Sequence, residues 1–492
     1  MTFVMKRWLI LTAIAAGVVF RLVGYFAHRS LWFDEAALAV NIIERPLAGL
    51  FRPLDFHQGA PVGFLVAQKI VVFILGPGES ALRLLPLACG VLTVLLAVRV
   101  APLYVSPAAV PLAIALVALN PPLIYYSSEA KQYSCDALVA LLLLWTFIGL
   151  LRSDLRASNV AAFALIGAVA VWFSHPSAFL LASAGLVFLF FARSDNLKIS
   201  RLALVFAAWV ASFAILYFVS LRNLTSDPAL LNFWNQYFPP RPLTNVHALS
   251  RLFDMFLISF RDPGGLAIIP GAGFFLVGCA ALFKRNQVLS WVLSGSFAGV
   301  FLAALLHRYP LGGRLLLFAT PVVLLLVAEG VAAVSAKLPH PKFAFLVISC
   351  LVLLHPVLYS VRDIRTKRGD DIRSVIDYVL AHSAASDRWY VYFQAQPQMR
   401  YYSDIRGFRS NWALGSDCAI DGRCYARDID SLTGASRTWI ILSHVLIQGN
   451  TNDRAVVLEQ LDRKGRRLDE FSGRGAWAYL YDLNVAAGNS GN

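Results

Sequence analysis

Twelve apolar runs divide the first 361 residues of this chain. They fall near 8–27, 62–75, 82–98, 107–125, 134–151, 159–174, 177–192, 201–220, 266–283, 288–306, 315–334 and 343–361. About 20 apolar residues in a helix cross a bilayer. Long uninterrupted runs of this kind exclude an outer-membrane barrel, whose strands alternate polar and apolar residues over about 10 positions. Composition agrees: the chain is 58% hydrophobic and 15% charged, against about 25% charged in a soluble domain. It reads as an α-helical polytopic membrane protein.

The charges set the orientation. Lys6 and Arg7 precede the first run, which only Arg21 interrupts. No convincing cleavage site follows, so the run reads as a retained helix with its N-terminus in the cytoplasm. The net charge of +14 would point to nucleic acid in a soluble protein; here it must be sorted by membrane side. Cytoplasmic connections then carry Arg99, Arg152 with Arg156, Arg193 with Lys198 and Arg201, Lys284 with Arg285, and Lys337 with Lys342. These alternate correctly only if 62–75 does not cross. That run is short, lies between Gly63 and Gly76, and contains Lys69, so it reads as a juxtamembrane helix on the surface. A short true span is the alternative, and it would place 127–134 in the cytoplasm. The result is about eleven spans in a domain over 1–361, in a bacterial inner (plasma) membrane.

Residues 362–492 differ: they are polar, charged and patterned like a small α/β domain, placed outside the cytoplasm (periplasmic) by the same alternation. Ile372, Val375, Ile376 and Val379 share one helical face. Residues 389–393 and 438–445 read as strands, and 452–465 as a capped helix. Cys89, Cys135, Cys279 and Cys350 lie in or beside spans and read as packing residues. Cys418 and Cys424 stand close together in "DCAIDGRC", which predicts a disulfide in an exported domain. Zinc is the alternative, although no second ligand pair stands nearby.

The connections on the outer side mix acids, bases and aromatic residues. Asp34 and Glu35 follow Trp32-Phe33 where the chain leaves the bilayer, a place where desolvating a carboxylate is costly. Acids in a first helical turn are the bland explanation. "FHQGAPVGF" brings His57, "SSEAKQY" brings Glu129, Lys131 and Tyr133, and "FSHPS" brings His175. Each alone reads equally as an ordinary loop or turn. Arg308 and Arg314 run against the positive-inside trend, which an anionic partner explains, since arginine grips phosphate with paired hydrogen bonds. Glu329 lies in the inner half of a span and reads as a packing residue. Together the mixture describes a polar chamber at the outer leaflet.

These motifs resemble bacterial membrane glycosyltransferases of the GT-C fold, in the broad family of protein O-mannosyltransferases and the lipid A aminoarabinose transferase. The matching segments are "WFDEA", "FHQGAP", "GPGESALRLLPLACG" with Arg83 and Pro86, "NPPLIYYSSEAKQYS" and "YPLGGRLLLFATP". They cover roughly residues 30–321 in the family's order. Lys131 stands where arginine is more usual, and "HQGAP" lacks a double proline.

The resemblance implies a polyprenyl-phosphate sugar as donor and a glycan, lipid or protein acceptor on the outer side, with no nucleic acid. Asp34 matches the family's acidic residue and would be the base of an inverting displacement. Glu35 is the second catalytic candidate, orienting the loop or binding a metal. Arg83, Lys131, Arg314 and Arg308 are candidates for the donor phosphate. His57, Glu129, Tyr133 and His175 are candidates for substrate binding. Some relatives use a divalent ion, but no metal-ligand spacing appears here. Two competing readings are a polysaccharide ligase or polymerase with a lipid diphosphate donor, and a lipid or sugar transporter. The first wants a large outer loop with paired Arg and His, which 221–265 supplies only in part. The second wants internal repeats and polar residues at mid-membrane.

Overall fold

A computed structural model of the chain describes residues 3–153, 156–191, 196–243, 245–366, 369–408, 411–418, 423–448 and 451–484. Arg193 lies outside them. The membrane part opens with α1 (Phe3–Tyr25), α2 (Phe33–Glu44), α3 (Val62–Leu75), α4 (Glu79–Tyr104), α5 (Val110–Leu119), α6 (Pro121–Tyr125) and α7 (Tyr133–Arg152). Among the described residues, eight helices are long and apolar enough to cross a membrane. The run at 107–125 becomes a ninth if its two halves, bent by 50°, form one span. The bend has a local cause. Pro121 and Pro122 lack the N–H groups a helix needs and push Asn120 out of helical conformation. The Asn120 side chain caps α6 by accepting from Leu123 N (3.1 Å) and donates to Gly264 O (2.8 Å). The apolar helices 157–173 and 177–190 are shorter. A total of about eleven spans would count both.

Helix α3 has 14 residues, about 21 Å of helix against a hydrocarbon core of about 30 Å. It is as long as helix 177–190, so length alone does not set it apart from the shorter apolar helices. One face, with Val62, Phe64, Leu65, Gln68 and Val72, is buried; Ile70, Phe73, Ile74 and Leu75 are exposed. Lys69 Nζ donates to the carbonyls of Ile42, Ile43 and Arg45 at 2.8–2.9 Å. A cation thereby caps the C-terminal end of α2, where the dipole favours it.

The most enclosed span runs over 313–335. Its helix, Thr320–Ser335, packs against Ile268–Arg285 at backbone distance. A Cβ at Gly330 would lie 1.9 Å from Phe274 O, and one at Gly278 would lie 1.8 Å from Leu326 O. Only glycine permits that approach. Glu329 accepts from Ser106 N (2.6 Å) and pairs with Arg285, whose Nη2 donates to Tyr104 O (2.6 Å). This cluster ties helix ends together opposite the end that carries Asp34.

The tail builds a five-stranded sheet from β1 (Arg388–Val391), β2 (Ala413–Leu414), β3 (Thr438–Ser443), β4 (Arg466–Gly473) and β5 (Ala476–Asp482). The order is β2-β1-β3-β5-β4. Strand β1 is parallel to β2 and β3, and β5 is antiparallel to β3 and β4. Helix Ile372–His382 buries Ile372, Val375, Ile376 and Val379. Asn452 caps helix Asp453–Lys464 by accepting from Arg454 N. Cys418 and Cys424 form a disulfide. The tail packs on the bundle end that carries Asp34, through α2 and helix Gln396–Arg406.

Candidate active site

Asp34 and Glu35 occupy the first turn of α2, where the helix dipole favours acids. Both are buried, and each meets a different set of partners. Glu35 takes a two-pronged grip from Arg83: Nε to Oε1 at 2.9 Å and Nη2 to Oε2 at 2.7 Å. Its Oε1 also accepts from Ala130 N at 2.8 Å. Burial works against the Glu35 charge, but Arg83 outweighs it and holds the carboxyl below its ordinary range. Arg83 Nη1 and Nη2 also donate to the carbonyls of Arg29 (2.7 Å) and Ser30 (3.2 Å). This pair braces α2, α4, the α1–α2 connection and the 126–132 connection against one another.

Asp34 meets two cations. Lys131 Nζ lies 3.0 Å from Oδ1, and Arg314 pairs with Oδ2. Burial again opposes ionisation, yet Lys131 and Arg314 hold the carboxyl well below the usual carboxylate range. Asp34, Lys131 and Arg314 together sum to one positive charge. Lys131 Nζ also donates to Gln58 Oε1. Arg314 enters from the 3₁₀ turn Gly313–Ala319, with its guanidinium 5.4 Å from the Tyr133 ring centre and 5.6 Å from that of Trp234. Both distances lie within cation–π range.

Glu129 completes the cluster. Its Oε1 accepts from Trp32 Nε1 at 3.0 Å. Burial raises its pKa to about 7, with Glu35 and Asp34 adding to the effect and Arg314 and Lys131 opposing it. A third carboxylate near two ionised ones is thus poised to change charge near neutral pH.

The structure thereby brings together Asp34, Glu35, Arg83, Glu129, Lys131, Tyr133 and Arg314. His57 stands apart: it is exposed and its Nδ1 meets Asp227 Oδ2 at 2.9 Å. His175 sits at the turn between helices 157–173 and 177–191, where burial lowers its pKa to about 4 and leaves the ring neutral. Arg308 is exposed, and among the described residues no contact joins it to Asp34. Two site residues were not singled out by sequence. Gln58 is one. Phe56 and His57 both adopt left-handed backbone (φ 59° and 51°), a strained conformation for these residues, and Gln58 follows immediately to reach Lys131. Trp32 is the other, as the donor to Glu129. Among the described residues, no three His, Cys, Asp or Glu side chains gather as metal ligands.

No family model and no curated protein matches the chain. Solved structures do. ArnT from Cupriavidus metallidurans in the apo state aligns over 97% of this chain and 98% of its own, with 13% identity and TM-score 0.55. ArnT bound to undecaprenyl phosphate aligns over 96% and 97%, with 13% identity and TM-score 0.57. The Archaeoglobus fulgidus oligosaccharyltransferase, in a complex with zinc and sulfate, covers 97% of this chain and 73% of its own, with 13% identity and TM-score 0.55. The chain thus has the GT-C fold of membrane glycosyltransferases. The aligned regions include the tail as well as the helices.

Proposed function

We propose that this protein is a lipid-linked sugar transferase. It moves a sugar from a polyprenyl-phosphate donor to an acceptor hydroxyl at the membrane face that carries Asp34. One observation carries the reading: a buried carboxylate held by two cations, on a fold shared with an enzyme solved with undecaprenyl phosphate. Lys131 and Arg314 bind the donor phosphate and neutralise the leaving oxygen. Asp34 takes the acceptor's proton, and a single displacement inverts the anomeric carbon.

The electrostatics add a step. Asp34 is a poor base while both cations hold it. A donor phosphate that engages Lys131 and Arg314 loosens that hold and raises the basicity of Asp34 when a sugar is in place. Glu35 and Arg83 position the helix that carries Asp34. Tyr133 and Trp234 wall the Arg314 side. Glu129 tunes the local charge. The residues 1–361 form the membrane domain and 362–492 the exported one, with the N-terminus in the cytoplasm of a bacterial inner membrane.

The test is transfer in proteoliposomes supplied with a panel of labelled polyprenyl-phosphate sugars and a membrane extract as acceptor. Transfer with inversion, read by NMR of the product anomer, supports the reading. Transfer only from diphosphate donors would replace it with the ligase or polymerase. No transfer from any donor by folded protein would overturn it.

A further inference from the structure

Four consecutive carbonyls precede Asp34 by three to six residues, and each accepts a hydrogen bond from a side chain. Arg83 Nη1 donates to Arg29 O at 2.7 Å and its Nη2 to Ser30 O at 3.2 Å. Arg373 donates to His28 O, and Gln398 Nε2 donates to Leu31 O at 3.0 Å. The membrane helices therefore hold the middle two carbonyls and the exported tail holds the outer two. The tail reaches further. Leu31 N donates to the Tyr402 hydroxyl at 3.0 Å, and that hydroxyl donates to Glu79. Arg373 Nη1 donates to Glu79 Oε2 at 2.7 Å, and Ser30 Oγ meets Asp371 Oδ1 at 3.0 Å. His444 stacks on Phe33, the residue before Asp34, with ring centres 5.0 Å apart and planes 10° apart.

Both backbone polar groups of Leu31 are thus satisfied by tail side chains, and Leu31, Gln398 and Tyr402 are all buried. A buried backbone group that loses its partner costs about 1–3 kcal/mol, so this segment cannot shift while the tail is docked without that cost. Glu79 lies one helical turn before Arg83 on α4. The same turn of α4 therefore anchors the tail through Glu79 and the acidic helix through Arg83.

We infer that the exported tail is part of the catalytic frame: Gln398 and Tyr402 are positioning residues that hold residues 28–33, and through them the Asp34 carboxylate, at its working place. This rests on the reading of Asp34 as the base, and it assigns the tail a role in turnover itself.

The experiment uses the full chain carrying Gln398→Leu with Tyr402→Phe. A misplacement of about 1 Å can cost about 100-fold in rate. The double variant should lose on the order of 100-fold in kcat, with undecaprenyl phosphate bound at least as tightly as by wild type. Amide hydrogen exchange across 29–35 should speed up, while the sheet of the tail stays protected. Arg400→Ala, which removes the tail's contact with Glu44 at the far end of α2, should leave both readouts at wild-type values. Unchanged kcat in the double variant, or weakened donor binding at constant kcat, would overturn the inference. If wild type itself transfers no sugar, the proposed function fails and hydrogen exchange alone decides the inference: unchanged protection at 29–35 would overturn it.

Discussion

Arg83→Met should be among the most damaging single substitutions in the membrane domain, through stability before any effect on chemistry. The Arg83 and Glu35 side chains are 3% and 2% exposed. An exposed pair would contribute about 0–1 kcal/mol. Removing one partner of a buried pair costs about 3–5 kcal/mol, because a charge remains without compensation. Arg83 also satisfies the carbonyls of Arg29 and Ser30, at about 1 kcal/mol each. The assay is a double-mutant cycle by denaturant unfolding in micelles, with Arg83→Met and Glu35→Leu separately and together. The double variant should recover the charge penalty and retain only about 3 kcal/mol of loss, from the two carbonyls and from Ala130 N, which loses Glu35 as acceptor. A single-variant loss below about 1 kcal/mol, typical of exposed pairs, or additive losses in the double variant, would refute the reasoning.

Other consequences follow from the same geometry. Glu129 ionises near its pKa of about 7, adding negative charge beside Lys131 and Arg314. The donor KM should therefore rise from one pH unit below that value to one unit above, and Glu129→Gln should hold it low throughout. The same raised pKa makes the fold lose stability as pH climbs from the ordinary 4.5 toward 7, because the folded chain keeps a proton the unfolded chain has released; denaturant unfolding of Glu129→Gln should lack that slope. Gly330→Leu should abolish packing against Phe274, with a stability loss of about 3 kcal/mol or more seen as a lowered unfolding midpoint. Cys418→Ser should destabilise the tail by about 2 kcal/mol and make reductant sensitivity vanish.

The membrane architecture was readable because apolar runs of span length have few other solutions. The tail was readable because Ile372, Val375, Ile376 and Val379 keep a helical period and Thr438–Ser443 is a buried strand. The continuous apolar run at 107–125 masks the bend at Asn120, although the two prolines announce it. The site was legible as a set of residue types and less so as a geometry. Sequence brought Asp34, Lys131 and Arg314 forward as separate loop ends, but pairing across 97 and 280 positions is tertiary. His57 and Asp227 meet on the exposed side, which composition cannot foretell. The grip of Gln398 and Tyr402 on Leu31 spans more than 360 residues and leaves no local signature.

The assignment of the base is tested most directly by Asp34→Asn, measured for donor binding and for transfer in the same proteoliposomes. Removing the carboxylate frees Lys131 and Arg314, so undecaprenyl phosphate should bind at least as tightly as to wild type. Transfer should fall by about 100-fold or more, the usual contribution of a general base. Transfer near the wild-type rate would remove Asp34 from the chemistry, and loss of donor binding would show that the carboxylate serves the phosphate site instead.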